Sequence, residues 1–235
     1  MSTVAKLKLF VALDVPTVSD AEALVSRLGE EVTAYKIGLE LLFGGGIQLA
    51  RTLKQDGKQI FLDMKLLDIP NTIEKATANI AGLGVDYLTV HGTDRKTLDA
   101  AVMGRGSSRL KLLAVTVLTS LDQADLVEQG INGTTPSQLV VRRALLAKAA
   151  GFDGVIASGL EAGDVRAAVG PGFFIVTPGI RLQAGQHQDQ TRVVTPKLAI
   201  ESGASHLVVG RPITTASDPA GVARQVVADI AAAMV

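Results

Sequence analysis

Asp63 and Lys65 stand two residues apart in the run IFLDMK, and Asp68 follows in the next stretch, LLDIP. On an extended strand the first two side chains leave the same face. Lys36, in AYKIG, and Asp14, in LFVALD, are further charges set in apolar surroundings. Several charges gathered in a low-dielectric place cost free energy unless they compensate one another, so alternating Lys and Asp is an arrangement that can persist there. Such a cluster marks a candidate site for electrostatic and proton chemistry rather than a stability device. A second signal is suited to an anion. Gly210-Arg211 offers a backbone N–H and a guanidinium, the pair that binds a phosphate, and Arg181 can approach the same place. The other reading of Arg211 is a surface residue flanking a helix.

Eight short apolar runs must position these residues: LFVALD, AYKIG, IFLDMK, YLTVHG, LLAVTVL, GVIAS, FIVTPG and LVVGR. Between them lie stretches with helical spacing, such as DAEALVSRLGEE, TIEKATANIAGLG and VVRRALLAKAAG. Strict alternation of strand and helix predicts parallel strands with right-handed crossovers, and eight such units close a (β/α)8 TIM barrel, here expected as one domain over residues 1–235. In that architecture the C-terminal strand ends carry the chemistry. Asp14 is expected to end the first strand, Lys36 the second, Asp63 and Lys65 the third and His91 the fourth. Thr119 and Ser120 end the fifth, Gly210 and Arg211 the eighth, and Asp68 follows the third in its loop. Any one of these could be a solvated loop residue, but the set is not explained that way. His91 is open to a hydrogen-bonding or a packing role.

Gly84 and Gly151 read as helix C-caps, and Ser217-Asp218-Pro219 as an N-cap followed by proline in the first turn. Gly44-Gly45-Gly46 lacks the Lys-Ser/Thr ending of a nucleotide-binding loop and is expected to break the second helical segment. The irregular stretch from Gly179 to Thr195 is long enough to suggest a functional lid.

Composition narrows the partners. Of 235 residues 47% are hydrophobic and only 3% aromatic, which suits a core of Val, Ile, Leu and Ala in a sheet buried on both faces. Basic and acidic residues balance at 23 each, leaving no long-range field for nucleic acid or an anionic membrane, so an anion must be bound locally. Cysteine is absent, and His91, His187 and His206 lack metal-ligand spacing, so neither a metal nor a redox cofactor is expected. The beginning, MSTVAKLKLFVALD, has neither a signal peptide's cleavage region nor a membrane span, which gives a cytoplasmic expectation.

The string FLDMKLLDIPNTIEKA, with Asp63, Lys65 and Asp68 in D-x-K-x-x-D before Ile69-Pro70-Asn71-Thr72, resembles the signature of the orotidine 5'-phosphate decarboxylase family. The likeness extends to FVALDVP, AYKIGLELL, VTVLTS, TPGIR and VVGRPIT, so it covers essentially the whole chain. It implies a cofactor-free carboxy-lyase that converts orotidine 5'-monophosphate to uridine 5'-monophosphate and carbon dioxide, the last step of de novo pyrimidine nucleotide synthesis. It further implies that Lys65 stabilises and protonates the C6 carbanion, flanked by Asp63 and Lys36. Asp68, with Ile69 and Thr72, would come from the opposite subunit of a homodimer with shared sites. Asp14 and Lys36 would contact the ribose, Thr119 and Ser120 the pyrimidine, and Arg181, Gln190, Gly210 and Arg211 the phosphate, with Pro178 of TPGIR also against the substrate. Gln183, Gln186 and Gln188 share the loop with Gln190, and spacing does not choose among them. Metal-dependent barrels acting on keto sugar phosphates share D-x-K-x-x-D but need an acidic ligand at the second strand end, where this chain has Lys36. An inert barrel that senses a phosphorylated metabolite would have no use for Lys65 and its carboxylates.

Overall fold

The eight apolar runs pair in parallel in sequence order, and the eighth pairs back onto the first. In the computed structural model, which describes residues 3–182 and 194–234, the strands are β1 (Leu9–Ala12), β2 (Ala34–Gly38), β3 (Gln59–Leu66), β4 (Tyr87–His91), β5 (Lys111–Val115), β6 (Gly154–Ile156), β7 (Phe174–Thr177) and β8 (His206–Val209). A helix follows each: α1 (Val18–Leu28), α2 (Ile47–Gln55), α3 (Pro70–Ala81), α4 (Arg95–Arg105), α5 (Pro136–Ala150), α6 (Ala162–Val169), α7 (Pro196–Glu201) and α8 (Pro219–Ala232). This is the (β/α)8 TIM barrel that the alternation predicts. Among the described residues no helix is long and apolar enough to cross a membrane.

The strands are shorter than their apolar runs. β1 stops at Ala12, leaving Asp14 just beyond it, and β5 stops at Val115, leaving Thr119 and Ser120 in the following turn. Leu13 and Val117 stay buried beyond the last strand residue, and the Leu13 N–H still donates to the Lys36 carbonyl at 2.9 Å. Lys36 lies in the middle of β2 rather than at its end, and His206 is the first residue of β8. The cap expectations hold at Gly151, left-handed after α5, and at Asp218, whose side chain accepts the Gly221 N–H at the start of α8. Gly84 is a correction: α3 already ends at Ala81 with Gly82 as its cap, and Gly84 turns the chain toward β4 with φ +72. Gly44–Gly46 breaks the segment before α2 as expected, through Gly45 at φ 106.

Period-two alternation sorts every strand. Leu9, Val11, Tyr35, Ile37, Ile60, Leu62, Leu88 and Val90 belong to the core beneath the helices, while Phe10, Ala12, Ala34, Phe61, Tyr87 and Val208 form a separate cluster inside the barrel. At its floor Phe10 and Tyr87 meet edge to face at 5.0 Å, Phe174 and His206 at 5.1 Å, and Phe10 and Phe61 at 5.4 Å. The floor is also stitched by polar residues that precede the even strands. Asp86 accepts the Ile60 N–H at 2.7 Å, Asp153 the Leu112 N–H at 2.9 Å and Ser205 the Ile175 N–H at 2.8 Å. Further along the same inward columns the residues become polar: Asp14 above Phe10 and Ala12, Lys36 above Ala34, Asp63 above Phe61 and Thr89 above Tyr87.

Candidate active site

The inward columns of β1 to β3 deliver their charges to one place. Lys36 Nζ donates to Asp14 Oδ1 at 2.9 Å and lies 3.4 Å from Asp63 Oδ2, which in turn lies 2.8 Å from Lys65 Nζ. The result is a row in strict alternation, Asp14, Lys36, Asp63, Lys65. Asp63 Oδ1 is taken by the Thr89 hydroxyl at 2.9 Å, so both carboxylate oxygens have partners.

Burial works against charge in this row and is outweighed. It would lower the pKa of Lys36, but Asp63 and then Asp14 bring the net shift above the ordinary lysine value. It would raise Asp63, but Lys36, Lys65 and the hydrogen bonds from Lys65 and Thr89 hold its carboxyl below the usual range. Lys36 and Asp63 are therefore both ionised at neutral pH. His91, at the end of β4, is held below the ordinary histidine value by burial first, then by Lys65 and Arg143, with Asp63 opposing, and so sits beside this row as a neutral ring.

The row forms one side of a cavity of about 550 Å³. Its floor is apolar, made by Ala12, Phe61, Val115, Ile156 and Val208, and Gly210, Arg211 and Arg181 also line it, with Gly210 next to the Asp14 end of the row. Gly210 ends the eighth column, and its carbonyl accepts from the Ile213 and Thr214 N–H groups, which starts the helical turn Arg211–Thr214. Arg181 is held at the base of the long loop, where Ile180 and Val194 form a parallel bridge and the Arg181 N–H donates to the Val194 carbonyl at 3.0 Å. A shaped cavity lined by both an ionised row and guanidinium groups can bind a small anion and stabilise developing charge.

The profile of the Orotidine 5'-phosphate decarboxylase / HUMPS family matches residues 7–226. The chain belongs to that family. It is 53% identical over 227 residues to an orotidine 5'-phosphate decarboxylase of Bradyrhizobium sp. strain BTAi1, covering 97% of this chain and 93% of that one. A Methylobacterium radiotolerans protein of the same name is 50% identical, covering 95% and 96%. Among solved structures, an orotidine 5'-phosphate decarboxylase from Lactobacillus acidophilus superposes with a TM-score of 0.82 at 37% identity, over 94% of this chain and 98% of that one. By membership the chain is a carboxy-lyase.

In this family member Asp14, Lys36, Asp63, Lys65, Thr119, Pro178, Arg181, Gly210 and Arg211 all line the one cavity. Asp68, Ile69, Thr72 and Ser120 do not: all four are exposed, and none borders the cavity of their own chain. Gln190, with Gln183, Gln186, Gln188 and His187, lies outside the described residues, as does most of the stretch expected to be a lid.

Sequence reasoning passed over two residues of this family member's site. A β-carbon built on Gly38 would come within 2.9 Å of Lys36 Nζ and 3.1 Å of Asp14 Oδ1, so glycine leaves room for that ion pair. Thr89 bonds Asp63 from the next strand. The available signal was period two: Gly38 follows Lys36 by one pleat and Thr89 precedes His91 by one pleat, so each shares a column with a residue already singled out.

Proposed function

We propose that the enzyme converts orotidine 5'-monophosphate to uridine 5'-monophosphate and carbon dioxide, the closing step of de novo pyrimidine nucleotide synthesis, without a cofactor. The observation that carries this reading is the alternating row Asp14, Lys36, Asp63, Lys65 in one cavity with Arg181, Gly210 and Arg211. Loss of carbon dioxide from C6 leaves an electron pair in an sp² orbital that the ring delocalises poorly, so the barrier is largely electrostatic. The Lys65 ammonium stabilises that developing charge more than it stabilises the bound substrate, which is the condition for acceleration, and then delivers a proton to C6. Asp63 keeps the Lys36 ammonium charged and pairs with Lys65 at 2.8 Å, and Lys36 fixes Asp63 in turn. Asp14 and Lys36 hold the ribose, Thr119 the pyrimidine with Pro178 beside it, and Arg181, Gly210 and Arg211, together with Gln190, the phosphate. A metal-dependent reaction on a keto sugar phosphate is disfavoured by Lys36, whose ammonium occupies the space between Asp14 and Asp63 where such a metal needs ligands. Loss of orotidine monophosphate absorbance on adding the purified chain tests the reaction; no consumption, or activity abolished by a chelator, would overturn the reading.

The same reading requires a homodimer. Asp68, Ile69 and Thr72 stand outside their own chain's cavity, and beside them Leu67 is 56% exposed and Ile69 itself 66%, while Phe43, in the segment after β2, is 85% exposed. Such apolar groups gain by burial against a second copy, which would bring Asp68 of each chain to Lys65 of the other. Mixing inactive Lys65→Ala with inactive Asp68→Ala subunits should then restore activity, because each hybrid dimer holds one site with both residues intact. No recovery after verified subunit exchange would argue that Asp68 acts in its own subunit or not at all.

A further inference from the structure

β3 and β4 run in step at Phe61↔Tyr87 and Leu62↔Leu88, but their next partners are Leu66↔Val90. Four positions of β3 are therefore spanned by two of β4, and the excess bulges. Within the bulge lies Lys65 at φ +50, which makes it the one non-glycine among the described residues in the left-handed region. A side chain rarely adopts that conformation unless its surroundings over-determine it. A bulge also lifts backbone N–H groups off the ladder, and each then needs another acceptor. For Lys65 that acceptor is Thr89 Oγ1, at 2.9 Å.

Thr89 is fully buried on the neighbouring strand, directly above Tyr87 in its column. A hydroxyl carries one hydrogen. With a lone pair receiving the Lys65 N–H, that hydrogen is donated to Asp63 Oδ1 at 2.9 Å, which turns Asp63 Oδ2 toward Lys65 and Lys36. The β-branched side chain has few χ1 choices, so the hydroxyl is held where both bonds are made.

Resting on the reading of Lys65 as the group that meets the reacting carbon, we propose that Thr89 is a positioning residue of the decarboxylation. Its hydroxyl locks the backbone of Lys65 and the carboxylate of Asp63 together, so that ammonium and carboxylate are preorganised by one atom. It does not line the cavity and so acts through its neighbours rather than on the substrate.

The test is steady-state kinetics of Thr89→Val and Thr89→Ser on orotidine monophosphate, with Lys65→Ala alongside. Valine keeps the shape and removes both bonds, and a displaced ammonium should lower kcat about 100-fold with KM changed by less than about threefold. Serine keeps the hydroxyl and should stay within about fivefold of the parent enzyme. Unchanged kcat in Thr89→Val, or equal losses in Val and Ser, overturns the assignment in favour of packing. Should Thr89→Val not fold, Thr89→Ala against Thr89→Ser reads the same contrast, and Ala as active as Ser overturns it equally. An inactive Lys65→Ala beside a fully active Thr89→Val removes Thr89 alone, whereas an active Lys65→Ala removes the parent reading and the Thr89 assignment with it.

Discussion

On the floor of the barrel, Phe10, Tyr87 and Phe174 surround a buried His206, with Phe61 against Phe10 and Tyr87; one or two pleats further along the same columns, Asp14, Asp63 and Thr89 stand in place of rings. Burial is the largest influence on His206, Lys36 and Asp63 alike. The outcomes are opposite. At the floor only Lys8 adds to the burial, and both disfavour charge, so His206 is pushed down to about 4 and stays neutral among the rings. At the mouth, neighbours of opposite sign overcome burial, and Lys36 and Asp63 keep their charges. Desolvation alone does not decide whether an interior group is ionised; the neighbours that share its column and the adjacent one do.

If the mouth is built for chemistry and the floor for stability, substitutions should separate the two. The largest effect is expected for Lys65→Ala, which should lower kcat by about 10⁴-fold or more, since both charge stabilisation and proton delivery are lost. Its urea midpoint should stay close to that of the parent, and activity near the parent value would break the comparison at once. Arg211→Ala should reduce kcat/KM for orotidine monophosphate about 10 to 100-fold, the range for a lost hydrogen bond to a charged group. The same variant should barely change the slow turnover of a substrate lacking phosphate, and equal losses on both would refute the phosphate assignment. Gly38→Ala is a finer probe. Its methyl would displace the Lys36 ammonium from Asp14, with an expected loss of about tenfold in kcat/KM and a native circular dichroism spectrum. Wild-type kinetics would mean that Lys36 yields freely.

The floor should respond only to pH and denaturant. His206 has a folded pKa of about 4 against an ordinary 6.5, so above 6.5 neither folded nor unfolded chain binds its proton, and between the two values only the unfolded chain does. Stability is therefore present above 6.5 and drains away as pH falls toward 4, by roughly 3 kcal/mol in all for this one ring. His206→Phe should flatten that part of the pH dependence of the urea midpoint and leave activity at neutral pH unchanged. An identical slope in both proteins would show that the ring next to Lys8 and Ser205 is not the group being titrated.

Much of this division was legible from residue order. The eight apolar runs, their alternation with helices and the polar residues at their ends led to the barrel and to the charged mouth, because β-strand parity and hydrophobic periodicity are local properties. D-x-K-x-x-D identified Asp63 and Lys65 correctly as neighbours on one face, but nothing in it announces the bulge or the left-handed Lys65, which depend on how β3 meets β4. Thr89 escaped notice because a lone threonine in YLTVHG reads as ordinary strand chemistry. Gly38 escaped because its role is a missing methyl beside two atoms from other parts of the chain. The strand ends were set too late at Asp14 and Thr119, since apolar burial continues at Leu13 and Val117, past the last strand residue.

The ringed floor has an optical consequence. The chain contains no tryptophan and two tyrosines, Tyr35 beneath the helices and Tyr87 among the floor rings, and neither borders the cavity. Near-ultraviolet absorption by the polypeptide is therefore weak, and a pyrimidine chromophore can be followed through single-turnover reactions at enzyme concentrations that would blind the measurement in a tryptophan-rich protein. Tyrosine emission, for its part, will register the barrel coming apart rather than the arrival of a nucleotide.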